Sequence, residues 1–170
     1  MIKVYIANRP PMKEYEKINK LSAMVEGEIQ RIGQETGNHW RKIFNVYAKI
    51  VFSLALKEAD HSILQYQTWQ RYRDERLLQV GSFSELHFAC PSLNQALSFM
   101  DEGCIRMVMG KAFSETLLEG IELTWLDGDF ATNKALGIIV CPYFDYRQLS
   151  NEKIDILVEV ILSFRACSVK

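Results

Sequence analysis

Four short and nearly uninterrupted apolar runs, at residues 2–7, 86–89, 105–109 and 137–141, constrain this chain more than any other feature. Each is too short to be a helix, and each is stopped by proline or glycine. Such runs, separated by stretches of helical periodicity, mark parallel strands buried on both faces. The spacing therefore predicts an α/β fold: a three-layer sandwich with a four-stranded parallel sheet flanked by helices. The 170 residues fit a single domain over 1–170, since a cut anywhere would leave neither half with enough core. No internal repeat, linker or low-complexity segment interrupts the chain.

The intervening segments follow the same logic. Asn8-Arg9-Pro10-Pro11 ends the first run, because two prolines continue neither a ladder nor a helix interior. Tyr15, Ile18, Leu21, Val25 and Ile29 recur at spacings of three and four, which predicts a helix from about Met12. Gly33 and Thr36-Gly37-Asn38 predict its end. A second helix is expected over residues 39–59, apolar around most of its circumference and so deep in the fold. Residues 63–78 read as a polar helix with Tyr66, Trp69, Tyr72 and Leu77 as its contacts. Ser92-Leu93-Asn94-Gln95 resembles a capping box opening a helix to Met100 or Asp101. Helices are also expected over residues 113–119 and after Ser150, a residue suited to an N-cap. Residues 121–126 read as a short strand before the turn Asp127-Gly128-Asp129.

Composition narrows the function classes. A formal net charge of −1 excludes a global basic field and leaves room only for a local basic patch. Hydrophobic residues at 48% and charged residues at 24% exclude a disordered chain. Cys90, Cys104, Cys141 and Cys167 lie far apart and form no C-x-x-C pair. They are expected to be reduced, buried thiols rather than zinc ligands, so no metal and no cofactor is expected. Residues 1–7 are too short for a signal sequence and no apolar run reaches the length of a membrane span. The expected location is the cytoplasm, with no membrane partner.

In open α/β sheets, ligands gather beyond the carboxyl ends of the strands. That rule nominates Asn8-Arg9-Pro10-Pro11, Cys90-Pro91-Ser92, Gly110-Lys111-Ala112 and residues 142–148. The last loop places Tyr143, Phe144, Tyr146, Asp145 and Arg147 within five residues. It suits stacking on a planar ligand and pairing with a phosphate or carboxylate. The plainer alternative has the rings packed on the core and Asp145 paired with Arg147. Gly110-Lys111 precedes a helix, where a phosphate is stabilised, although the spaced glycines of a phosphate loop are missing. His39, His61 and His87 are scattered; His39 stands out because it follows Gly37-Asn38 at the entry to the deep helix. No Ser-His-Asp, Cys-His or H-E-x-x-H order is present.

Three segments together resemble the uracil-DNA glycosylase superfamily, nearest its mismatch-specific uracil/thymine branch. They are Ile6-Ala7-Asn8-Arg9-Pro10-Pro11, Gly37-Asn38-His39-Trp40 and Val108-Met109-Gly110-Lys111-Ala112. The resemblance implies that family's four-stranded parallel sheet. It implies that Asn8 orients an attacking water; Asn8 and, from the loop after the last strand, Asp145 are the candidate catalytic residues. Trp40, Tyr143 or Phe144 would stack on a base, while Lys111 and Arg147 would meet phosphates. Arg9, Asn38 and His39 complete the expected ligand-binding set. The family's last strand leads to His-Pro-Ser or Asn-Pro-Ser, and here it leads to Cys141-Pro142-Tyr143, which keeps only the proline. Cys141 is a weak donor for a departing anionic base. The expectation is therefore a non-catalytic or divergent uracil-DNA glycosylase-like domain that binds a nucleotide, nucleic acid or protein. The alternatives are an active DNA glycosylase or nucleoside N-glycosidase, and a generic α/β domain without that ancestry.

Overall fold

The computed structural model describes residues 1–88 and 103–167, with side chains as far as Arg165. The expected helix from Ser92, the Cys90-Pro91-Ser92 loop and the last residue of the second apolar run lie outside the described residues.

The four apolar runs supply β1 (Ile2–Ile6), β3 (Ser84–Phe88), β4 (Ile105–Met109) and β7 (Ile138–Cys141). β1 pairs in parallel with β3 and with β4, and β4 pairs in parallel with β7. Val4 lies between Leu86 and Met107, and Val108 lies opposite Val140. The sheet is larger and more mixed than the four-stranded parallel one the runs suggest. β2 (Lys20–Leu21), β5 (Thr124–Trp125) and β6 (Ala131–Asn133) extend it by antiparallel pairing, in the order β2-β3-β1-β4-β7-β6-β5. β2 and β6 have only two or three residues, too few to leave a period in the sequence, and the short strand expected over residues 121–126 is β5, reduced to two residues.

Successive residues of a strand face opposite sides, and the two sides of this sheet differ. Val4, Ile6, Leu86, Phe88, Met107, Met109 and Ile139 join the larger core. That core is covered by α1 (Glu28–Glu35), α2 (Asn38–Glu58), α4 (Trp69–Glu75) and α6 (Asn151–Cys167). Tyr5, Val108, Ile138 and Val140 face a smaller cluster with Leu117 and Leu118, at the end of α5 (Lys111–Leu117). α2 is buried through Trp40, Phe44, Tyr47 and Ile50. The Tyr47 hydroxyl lies 3.0 Å from the Ile2 carbonyl oxygen and 3.1 Å from that of Glu85, which anchors this helix to two strands.

Two helical expectations are corrected. No helix begins at Met12; a 3-10 turn (Lys13–Tyr15) and β2 occupy that stretch, and α1 starts only at Glu28. Tyr15, Leu21 and Ile29 share one core, so their spacing reflects burial and not one helix face. The expected break at Gly33 is an interior residue of α1, placed where a Cβ would lie 3.6 Å from that of Arg41. The helix expected over 63–78 is instead α3 (His61–Leu64) and α4, separated at Gln67 with φ +65°. Each has its own side-chain cap: Asp60 accepts from the Ser62 N–H and Thr68 from the Arg71 N–H.

Candidate functional site

The loops after β1, β4 and β7 meet the first turn of α2 at the carboxyl rim of the parallel strands. Their meeting point is Tyr143. Pro142 follows the last residue of β7, and the half-buried Tyr143 ring stacks on His39 with centroids 5.6 Å apart and planes 26° apart. The Tyr143 hydroxyl lies 3.0 Å from His39 Nε2. Burial pushes this phenol up from its ordinary value, and a hydrogen bond from the Asn8 side chain offsets part of the rise. Gly110, with φ +88°, brings the end of β4 close to the same ring: a Cβ there would lie 3.9 Å from Tyr143 Cδ2. Asn8 and His39 are exposed, so a solvent-facing group of amide, imidazole and phenol results.

Asp145 organises the rest of the loop. Its backbone carbonyl accepts from the Gln148 and Leu149 N–H groups, and its carboxylate accepts from the Arg147 N–H at 3.0 Å. Lys42 Nζ donates to the same carboxylate at 2.7 Å. That ammonium, helped by the Arg147 N–H, holds the carboxyl below its ordinary value. Asp145 is thus paired across to α2 and not to the Arg147 guanidinium. Lys42 was not among the sequence candidates. Its spacing of three and four residues from His39 and Asn38 is the signal that would have placed it on the same helix edge.

Other candidate residues sit around this centre. Exposed Asn38 opens α2. Exposed Lys111 holds its ammonium 4.9 Å from the Trp125 ring centroid. Arg147 is exposed, with its guanidinium 5.8 Å from the Tyr146 ring. Arg9 donates from Nη2 to Asn19 Oδ1 at 3.4 Å, and its buried Nε has no partner among the described residues.

Two candidates are core residues. Trp40 is 2% exposed and packs on Phe44 and Phe88; Phe144 is 0% exposed and packs against Tyr47. Neither ring has a face left for a base. The apolar arc of α2 draws Trp40 inward, and Phe144 turns into the core beneath the loop. Cys141 is buried in β7, where desolvation pushes its thiol up to about 12. It is neither a nucleophile nor a useful proton donor there. Cys104 is likewise a buried thiol in no disulfide.

Among the described residues, no group of three or more His, Cys, Asp or Glu side chains is placed to hold a metal, and no helix is long and apolar enough to cross a membrane. Fold and rim together define a helix-flanked α/β domain with a polar loop cluster at the carboxyl ends of its strands. The chain belongs to a family of unknown function, DUF6942, whose family model matches residues 1–162. No curated protein and no solved structure matches it.

Proposed function

We propose that this chain is a uracil-DNA glycosylase-like binding domain that holds a nucleotide, free or within a nucleic acid, at the carboxyl rim without cleaving it. The observation that carries the reading is the convergence of Asn8, His39 and Tyr143 from three separate parts of the chain. Polar groups gathered from separate loops are what a binding site requires. Amide, imidazole and phenol suit the edge of a base, and Lys111, Arg147 and Arg9 supply cations on the same loops. Parallel pairing of β3, β1, β4 and β7 at the centre of the sheet supports the family likeness.

Binding without cleavage is favoured by how the candidate catalytic groups are occupied. Hydrolysis of an N-glycosidic bond needs a polar group free to orient water and a donor for the departing base. Asn8 lies against the Tyr143 phenol, and Asp145 is ion-paired with Lys42. Cys141, where the family has a donor, is buried with a raised pKa.

The test is a thermal-shift screen with nucleobases, nucleosides and nucleotides. At a hundredfold excess over Kd, binding adds about 2.7 kcal/mol. That corresponds to a rise in Tm of roughly 5–10 °C for a domain of this size. His39→Ala and Asn8→Ala are expected to abolish the rise. No shift with any of these ligands would sink the reading. Release of uracil from a uracil-containing duplex, lost in Asn8→Ala, would replace it with an enzymatic one.

A further inference from the structure

A second polar feature lies beside the rim. Asn38, Arg41, Lys42, Asn45 and Lys49 recur at spacings of three and four along α2, so they form one polar stripe on the helix. At 1.5 Å per residue the stripe is about 16 Å long. It forms one wall of a groove of about 330 Å3, which Trp69 and Tyr146 complete. No carboxylate lines this groove among the described residues. Arg41 is exposed and has no ion pair among them. Among the described residues Lys49 Nζ donates only to the neutral Asn151 amide, at 3.1 Å, and it lies 5.2 Å from the Trp69 ring centroid. Lys42 lies 4.7 Å from the Tyr146 ring centroid while holding Asp145. Tyr146 is 55% exposed.

A chain of net charge −1 thus keeps Arg41 and Lys49 without a carboxylate partner among the described residues in one groove, beside the Asp145-paired Lys42, with an aromatic ring held against Lys42 and another against Lys49. Cations in register with rings recognise alternating phosphates and bases, and rings stack only on bases freed from a duplex. We propose that this stripe is a track for single-stranded nucleic acid. Arg41, Lys42 and Lys49 meet successive phosphates, and Tyr146 stacks on a base. The track extends the nucleotide reading of the rim, which it meets at Asn38 on the same helix, but its phosphate and base contacts, Arg41, Lys42, Lys49 and Tyr146, are not the Asn8, His39 and Tyr143 on which the rim reading rests. A duplex is disfavoured because its stacked bases offer no face to Tyr146.

The test is fluorescence anisotropy of the full chain with a labelled oligothymidylate of about twelve nucleotides at low salt. Three phosphate contacts give a slope of log K against log salt of about −2. Arg41→Ala and Lys49→Ala should each flatten that slope, and the exposed Tyr146→Ala should weaken binding about tenfold with the circular dichroism unchanged. An unlabelled duplex of the same length should compete poorly. Absence of binding at low salt would overturn the proposal. So would binding that inorganic polyphosphate displaces equally well and that Tyr146→Ala leaves unchanged, since the stripe would then hold any polyanion. Oligonucleotide binding that survives while mononucleotides give no thermal shift would sink the rim reading and leave the track standing.

Discussion

Tyr72 is fully buried, yet its hydroxyl has no hydrogen-bond partner among the described residues. Ser84 is near enough to temper the burial that pushes this phenol well above its ordinary value. It makes no hydrogen bond with the phenol; the Ser84 hydroxyl instead accepts from the Leu78 N–H and shares a bond with Ser82. A buried hydroxyl left unmatched costs about 1–3 kcal/mol. Tyr72→Phe is therefore expected to stabilise the fold by about 1 kcal/mol, read as a higher urea midpoint at unchanged slope. A lower midpoint would show that the hydroxyl is satisfied in solution. His87 offers a second test at this scale. It stacks on Tyr5 and lies 2.8 Å from Glu85, whose charge pulls its pKa up, but burial pushes harder and the net shift is down. The unfolded chain then takes up a proton near pH 6.5 before the folded one does, so stability falls as pH drops below about 6.5. His87→Gln should flatten the dependence of the urea midpoint on pH between 7 and 5. A native protein that instead gains stability on acidification would mean that the imidazolium–Glu85 pair outweighs burial.

Elements legible in the sequence are those whose own residues decide their burial. α2, α6, β4 and β7 fall close to where their apolar patterns place them, because each turns a continuous set of side chains into the core. β5 falls inside the strand expected over residues 121–126 but is only two residues long, since Thr124 and Trp125 are both exposed and only their pairing with β6 makes them a strand. α1 is misplaced because Tyr15 and Leu21 reach the same core from a 3-10 turn and a strand. Glycines show the same division. Gly37 reads as a helix boundary, and the structure supplies the reason: φ +82° and ψ −161°, a region essentially restricted to glycine. Nothing lies within 4 Å of where its Cβ would sit, so Gly37→Ala carries backbone strain alone, about 1–3 kcal/mol. Gly137 combines φ +63° with a Cβ position 2.6 Å from the Cys104 carbonyl oxygen, at the start of β7. Gly137→Ala should therefore lose more stability than Gly37→Ala when both are compared by denaturant midpoint. The reverse order would mean that β7 shifts more easily than the entry to α2.

At the scale of the molecule, the rule about the carboxyl ends of strands was enough to bring Asn8 and residues 142–148 together, because connectivity alone sets it. The direction of single side chains was not legible. Trp40 and Phe144 turn inward and Lys42 reaches Asp145 because of packing between layers that no local window contains. That layering also sets how stability is distributed. β1 and β4 are paired on both sides in the middle of the sheet, and α2 packs among α1, α4 and α6 over the larger core. β2 and β5 have two residues each at the margins of the sheet, and the single turn of α3 has no buried residue. Amides with many buried contacts exchange only when the whole fold opens, and marginal ones exchange through local opening. Native-state hydrogen exchange should accordingly show β1, β4 and α2 with one shared, strongly denaturant-dependent opening free energy. β5 and α3 should exchange faster and with little dependence on denaturant. If amides of β5 proved as slow as those of β4, the antiparallel flange would belong to the cooperative centre, and the larger core would not be what sets global stability.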